Sequence, residues 1–380
     1  DWKRLYADRA AIAIRWANLH ARHIDNSQDR LRTAKQYLDE YQVFLNTKFP
    51  DDKRSFFQSQ NDRLLLLSLM QEPSKVVSLY QGLQKSSTPI SEDSQRIAAS
   101  AYLALQKPEK SLEILDNLTE SNGVLGQKYF AYLDTNKPEK ALAATHKKQR
   151  INPIWLAHFE SKFLDGNPNR VAADTYEKLL PAYTNRLSES QQLIQSFLNQ
   201  GPANTELRNH LATIYRWRGW PRKALAELAL IESVEPDYLS MRVNKVYNQM
   251  DIYQYEDIDE SIQALERQHY RSSAVKSLKQ DWQVEKLASL EISASAAQAS
   301  GSRFSSRDKS IEGRLNSTLL NQHVRLFART LYKTNNQTQA GSFKRVGLGA
   351  QWRSRDLQIS SELNHSVHGG NAGLGLSASW

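Results

Sequence analysis

The spacing of apolar residues changes once along this chain. Up to Lys286 they recur every three or four residues, the interval that gathers side chains onto one face of an α-helix. Ala34, Leu38 and Tyr41 mark one such face within the first 50 residues, where a pair of helices is expected. Leu64 to Leu67 and Met70 mark another, interrupted by Ser68. After Lys286 apolar and polar residues alternate, which predicts strands with two unlike faces. Six runs are expected. Leu290, Ile292, Ala294 and Ala296 alternate with Glu291, Ser293 and Ser295; Ile311, Gly313, Leu315, Ser317 and Leu319 alternate with Glu312, Arg314, Asn316 and Thr318. Val324, Leu326, Ala328 and Thr330 oppose Arg325 and Arg329, with Phe327 and Leu331 as exceptions. Val346, Leu348, Ala350 and Trp352 oppose Arg345, Gly347, Gly349, Gln351 and Arg353. Leu357, Ile359 and Leu363 oppose Gln358, Ser360, Glu362 and Asn364, and the last run, Ala372 to Trp380, sets leucines and alanines against glycines and serines. A helical domain over 1–286 and a strand domain over 287–380 follow.

The helical part repeats itself. Pro73, Pro108, Pro138, Pro168 and Pro221 each follow a polar turn and open a helix, where the missing N–H would be unpaired in any case. Pro108, Pro138 and Pro168 are evenly spaced, at an interval close to the helix-turn-helix unit of tetratricopeptide repeats. The best unit runs from Thr205 to Pro236. Leu211, Ala212 and Tyr215 occupy its first helix, Gly219 its turn, and Ala224, Leu228 and Ile231 its second helix. Tyr102 and Tyr132 hold the place of Tyr215 in earlier units, and Ser111 and Ala141 that of Ala224. Six to eight stacked hairpins are expected, residues 237–286 being a final pair with a capping helix. Such a stack leaves a long concave surface on which a protein or polymer can lie. Glu206, Asn209, Thr213 and Arg216 are the candidate groove residues, whereas Trp220 is expected to pack at the turn.

Composition agrees with two architectures. All 11 prolines fall between Pro50 and Pro236, and 9 of the 15 glycines lie in the last 100 residues. The 50 basic and 41 acidic residues leave a net charge of +9, but the signs alternate along the helices. No basic face with stacking aromatics emerges, so nucleic acid is not an expected partner. The absence of cysteine removes disulfides, thiolate metal sites and a cysteine nucleophile. Phosphate-loop, serine-elbow and HExxH patterns are absent too. His20 with His23, and His365 with His368, have metal-compatible spacing but no third ligand nearby in sequence. No catalytic residue, metal or cofactor is therefore expected.

No apolar run approaches the ~18 residues a helix needs to cross a bilayer. Strands of about ten residues, apolar on one side and polar on the other, are instead the pattern of transmembrane β-barrels. A soluble sandwich uses the same alternation. Charges and glycines on the polar face, with Tyr332, Trp352 and Trp380 near strand ends, favour lipid outside and water inside. Six strands are too few to close, so the barrel is expected to be incomplete and the chain truncated at both ends. Glu291, Glu312, Glu362, Arg314, Arg325, Arg329 and Arg345 are the candidate lumen residues, and Gly347, Gly349, Gly373 and Gly375 are expected to make room there.

A repeat array running into such strands resembles the PgaA and HmsH family, the porins that export poly-β-1,6-N-acetyl-D-glucosamine for biofilms. The resemblance is carried by Asp8-Arg-Ala-Ala-Ile-Ala-Ile-Arg-Trp16, by Leu207-Arg-Asn-His-Leu-Ala-Thr-Ile-Tyr-Arg-Trp-Arg-Gly-Trp-Pro-Arg-Lys-Ala224, and by Asp281-Trp-Gln-Val at the helix-to-strand junction. It implies an α + β chain: periplasmic tetratricopeptide repeats followed by the first strands of an outer-membrane barrel in contact with lipid. It also implies export of partly de-N-acetylated polymer without catalysis, the repeats docking a periplasmic deacetylase and the exopolysaccharide. De-N-acetylation leaves ammonium groups, which lumen carboxylates such as Glu291, Glu312 and Glu362 would attract. Arg314, Arg325, Arg329 and Arg345 share that face, so an acidic path requires local pairing or further strands. Two other readings keep part of the pattern: an exporter of cellulose type, and a soluble tetratricopeptide scaffold with a C-terminal β domain.

Overall fold

A computed structural model describes residues 2–19, 27–86, 89–157, 164–269, 272–300, 305–335, 342–367 and 370–380. His20, His23 and His368 lie outside them. Among the described residues the chain forms helices up to Lys286, apart from one short two-stranded hairpin, and strands from Ser289 onward. The helices come in pairs: α1 (Trp2–Leu19) with α2 (Ser27–Lys48), α3 (Lys53–Leu69) with α4 (Pro73–Lys85), and α5 (Glu92–Ala104) with α6 (Pro108–Leu115). Next are α7 (Asn122–Asp134) with α8 (Pro138–Ile151), α9 (Pro168–Tyr183) with α10 (Leu187–Gln200), and α11 (Thr205–Trp217) followed by α12 (Pro221–Glu232). A further pair, α13 (Leu239–Asp251) and α14 (Ile258–His269), precedes a single helix, α15 (Ser273–Lys286), as the expected final pair and cap.

One device sets the phase of these pairs. The first helices α3, α5, α7, α9, α11 and α13 all end in a residue with positive φ: Gln71, Gln106, Asn136, Asn185, Gly219 and Tyr253. In each case the next amide bonds five residues back, as Lys107 N–H does to the Tyr102 carbonyl and Trp220 N–H to that of Tyr215. This is the Schellman closure, which satisfies carbonyls that the helix end would leave bare. Four of the five prolines noted above, Pro73, Pro108, Pro138 and Pro221, then open second helices. Pro168 does not share that phase. A two-stranded hairpin, β1 (Trp155–Ala157) with β2 (Leu164–Gly166), intervenes after α8, so Pro168 opens a first helix, α9. Its even spacing from Pro138 therefore marks two different positions in the repeat.

By mutual contact, residues 1–220 with 227–238 form one compact unit, and 221–226 with 239–380 another. In the first, apolar side chains of successive helices fill the space between pairs. Ala34 and Leu38 are fully buried and Tyr41 nearly so, in a cluster with Ile14 and Leu66; Leu179, Ile194, Leu211 and Ile214 form a corresponding cluster across α9, α10 and α11. In the second unit Tyr255, Ile258, Leu278 and Trp282 make the core of α13–α15.

The second unit also holds a six-stranded antiparallel sheet in sequence order: β3 (Ser289–Ser300), β4 (Ser305–Asn316), β5 (Val324–Asn335), β6 (Ser342–Ser354), β7 (Leu357–Ser366) and β8 (Ala372–Ser379). The expected second strand ends earlier than its alternation suggested: Ser317 to Leu319 belong to the turn before β5, where the Leu319 amide bonds the Lys286 carbonyl. The β6–β7 turn is two residues, Arg355 and Asp356, both with positive φ. That conformation matches the right-handed twist of the strands on either side.

Candidate functional site

Register decides which side chains share a face. Glu291 lies opposite Arg314, which lies opposite Arg329, which lies opposite Gly347 and then Asn364. One step along, Glu312 faces Leu331, and Leu331 faces Arg345; one step the other way, Phe327 faces Gly349, Gly349 faces Glu362, and Glu362 faces Gly375. All seven candidate lumen residues therefore occupy the same face. The reverse face carries a broad apolar surface left exposed, with Leu290, Leu348, Leu363 and Leu374 in one cross-strand row. Tyr332 and Trp352 stand at opposite ends of that face, eight residues apart in register along β5, or about 27 Å of strand.

The charged face is organised around Arg329. Its Nε donates to Glu312 Oε1 at 2.7 Å and its Nη2 to Glu312 Oε2 at 3.1 Å, a forked pair, while Nη1 reaches Glu362 Oε2 at 3.3 Å. One guanidinium thus holds a carboxylate from the adjacent strand β4 and, reaching across β6 at Gly347, one from β7. Glu291 accepts from Asn316 Nδ2 at 2.8 Å, and Arg314 Nε donates to Asn316 Oδ1 at 2.9 Å while its guanidinium lies 4.0 Å from the centre of the Phe327 ring. Glycine makes this packing possible at two positions. A Cβ on Gly347 would collide with the Glu362 carboxyl, and one on Gly349 with the Phe327 ring and the Ser361 carbonyl. Phe327, an exception to the sequence pattern, is accordingly buried beneath Arg314.

Arg325 differs from the other arginines. It is buried, and its guanidinium donates to the carbonyls of Leu287 at 3.0 Å, Ser317 at 3.4 Å and Glu285. It ties the α15–β3 junction to the β4–β5 turn. Glu285 also accepts from the Tyr255 hydroxyl at 3.0 Å and lies 3.8 Å from Arg353, whose guanidinium covers the Tyr253 ring. Asp259 accepts from Trp282 Nε1 at 2.8 Å and Lys286 Nζ at 2.9 Å; burial pushes its carboxyl up, but these two donors outweigh it and the net shift is downward. Arg222 pairs with Asp356, whose amide donates to the Ile252 carbonyl. None of Tyr255, Glu285 or Asp356 stands out in the sequence. They are common polar residues whose role comes from long-range contacts.

Of the groove candidates on α11, Glu206 is exposed, Thr213 and Arg216 are half-buried, and Asn209 is buried, 8% exposed. The Thr213 hydroxyl donates to the Asn209 carbonyl at 3.0 Å. Trp220 packs at the turn beneath the Arg218 guanidinium, 3.9 Å from the ring centre. No group of three or more His, Cys, Asp or Glu residues suited to a metal ion occurs among the described residues.

Residues 284–380 match the family described as the PgaA membrane beta barrel domain. The chain as a whole is 25% identical over 335 residues to the poly-beta-1,6-N-acetyl-D-glucosamine export proteins of Escherichia coli strain K12 and of Escherichia coli O157:H7, alignments covering 84% of this chain and 41% of either relative. The chain thus spans under half the length of the curated relatives it matches. Neither the family nor these relatives are enzymes. A solved tetratricopeptide repeat protein from Parabacteroides merdae covers 72% of this chain and 98% of its own, with a TM-score of 0.48 and 16% identity.

Proposed function

We propose that this chain is part of an outer-membrane porin that exports poly-β-1,6-N-acetyl-D-glucosamine, residues 1–286 lying in the periplasm and 287–380 forming part of the pore wall. The observation that carries this reading is the two-faced sheet within the barrel-family segment. Its outer face is mainly apolar and suited to lipid, and its inner face is a packed lattice of carboxylates and guanidiniums suited to a hydrated polymer. On this reading the pore is not simply acidic. Arg329 neutralises Glu312 and Glu362 locally, so these carboxylates are held in fixed positions that an ammonium group on a de-N-acetylated sugar can contact in passing. The repeats bring the polymer, and the periplasmic deacetylase that exposes its amines, to the pore.

Two fractionation experiments test the placement and the docking. The protein should remain with outer membranes through a salt wash and leave them only in detergent; release without detergent contradicts the barrel. Full-length protein immobilised in detergent should retain the deacetylase from a periplasmic extract, and failure to retain it removes the docking role while leaving the pore intact.

A further inference from the structure

Three consecutive first helices of the repeat unit turn aromatic and acidic side chains to a common surface. On α7, Phe130 and Asp134 are one turn apart; on α9, Tyr176 and Tyr183 are two turns apart; on α11, Glu206, His210 and Trp217 share a stripe. The rings connect the helices. Phe130 meets Tyr176 edge-on at 5.4 Å between centroids, and Tyr183 meets Trp217 edge-on at 5.7 Å. These rings are not core: Phe130 is 39%, Tyr183 46% and Trp217 44% exposed. Asp134 is one turn from Phe130, and Glu206 is on the same stripe as Trp217. Burial first, then Tyr176, then Asp134 raise the Tyr183 hydroxyl pKa, and burial, then Glu206, raise that of Tyr176. Asp134 is exposed and has no ion-pair partner among the described residues. His210, 4.0 Å from Glu206, has its pKa lowered by burial, which disfavours its positive charge.

Flat ring faces beside carboxylates, of which Asp134 has no ion-pair partner among the described residues, suit a ligand with apolar sugar faces and positive charges. We infer that the α7–α9–α11 surface binds a β-linked glucosamine chain carrying both N-acetyl and free amino groups, Trp217 and Tyr183 stacking on pyranose faces and Asp134 and Glu206 receiving the ammonium groups. This rests on the export reading for the identity of the polymer. It goes beyond it in assigning a site, in requiring free amines there, and in placing the main contacts on residues other than Asn209, Thr213 and Arg216.

The test is calorimetric titration of the full-length protein in detergent with two β-1,6-linked glucosamine oligosaccharides of equal length, one fully N-acetylated and one partly de-N-acetylated. The partly de-N-acetylated oligosaccharide should bind more tightly. Trp217→Ala should weaken both by about tenfold, whereas Trp217→Phe should retain most of the affinity. Asp134→Asn should weaken only the de-N-acetylated ligand, by about fivefold, bringing the two oligosaccharides together. Circular dichroism establishes that the variants are folded; Asp134 is exposed, so Asp134→Asn carries the test even if Trp217→Ala disturbs the helices. If wild type binds and folded Trp217→Ala and Asp134→Asn bind as well as it does, the site is wrong and the export reading stands. If neither oligosaccharide binds wild type, the site is overturned; if polymer is also secreted normally without the protein, the export reading falls with it. If the variants lose only retention of the deacetylase, the surface belongs to a protein partner and the inference is overturned.

Discussion

Arg329 is the residue on which the charged face turns. It pairs with Glu312 on one side and Glu362 on the other, and each carboxylate depends on it as its nearest cation. Replacing it with alanine leaves two carboxylates on that face without their guanidinium partner. The expected outcome for Arg329→Ala is a pore more selective for cations, read as a shifted reversal potential in a planar bilayer; an unchanged potential contradicts the assignment of this face to the lumen. The neighbouring glycines separate space-making from mere tolerance. Gly349→Ala drives a Cβ into the Phe327 ring and a backbone carbonyl, at a cost of about 1–3 kcal/mol to the folded sheet. Gly375→Ala meets its nearest neighbour at an ordinary 3.7 Å and should be silent. The temperature at which the refolded protein loses its compact gel mobility distinguishes the two. Alternation alone placed Glu312, Arg329 and Glu362 on one side, since a period of two fixes the face. It could not pair them, because partners 17 and 33 residues away depend on register set by the turns. Phe327 read as an error in the pattern for a related reason: the space it fills is made by Gly349 on the next strand.

At the scale of elements, the helical hairpins depend on their ends as much as on their apolar faces. Gly219 sits at φ +74 in a Schellman turn, whereas Gly82 lies inside α4, and a Cβ added there would meet no atom within 4 Å. Gly219→Ala should therefore destabilise the repeat unit by about 1 kcal/mol, and Gly82→Ala should stabilise it by a similar amount through helix propensity. Opposite shifts in the calorimetric midpoint check the pair. The start of α3 adds a pH dependence. Asp52 accepts from Lys3 Nζ at 2.7 Å and from the Ser55 amide at 3.1 Å, and the Lys3 bond first, then the cap, hold its carboxyl well below the usual range. A carboxyl depressed in the folded state contributes stability above its unfolded pKa and loses it as the pH falls through and below about 4. The thermal midpoint should drop over that acid range, and Asp52→Asn should flatten the drop; equal slopes for both proteins contradict the cap. Proline spacing revealed that repeats exist but misplaced Pro168, because prolines open first and second helices alike. The phase lies in the positive-φ residues instead. Gly219, Asn136 and Asn185 are residue types that favour that conformation, while Gln71, Gln106 and Tyr253 adopt it under the pull of the closing hydrogen bonds.

At the scale of the molecule, the change from helix to strand and the division into compact units fall at different places. Secondary structure switches between Lys286 and Ser289, as the change of period predicts, yet α13–α15 group with the strands. The cause is a set of polar contacts whose ends are far apart in sequence: Arg325 on carbonyls of the α15–β3 junction, Tyr255 on Glu285, and Asp356 on both Arg222 and the Ile252 carbonyl. No local pattern could have announced them. Within the second unit they make the helices next to the sheet a foundation for its turns. The central claim is the proposed export role, and polymer location tests it most directly. In a producing strain lacking the full-length protein, immunoassay of cell fractions should find poly-β-1,6-N-acetyl-D-glucosamine retained in the periplasm, and restoring the protein should move it to the medium. Equal amounts of polymer in the medium with and without the protein would contradict the account.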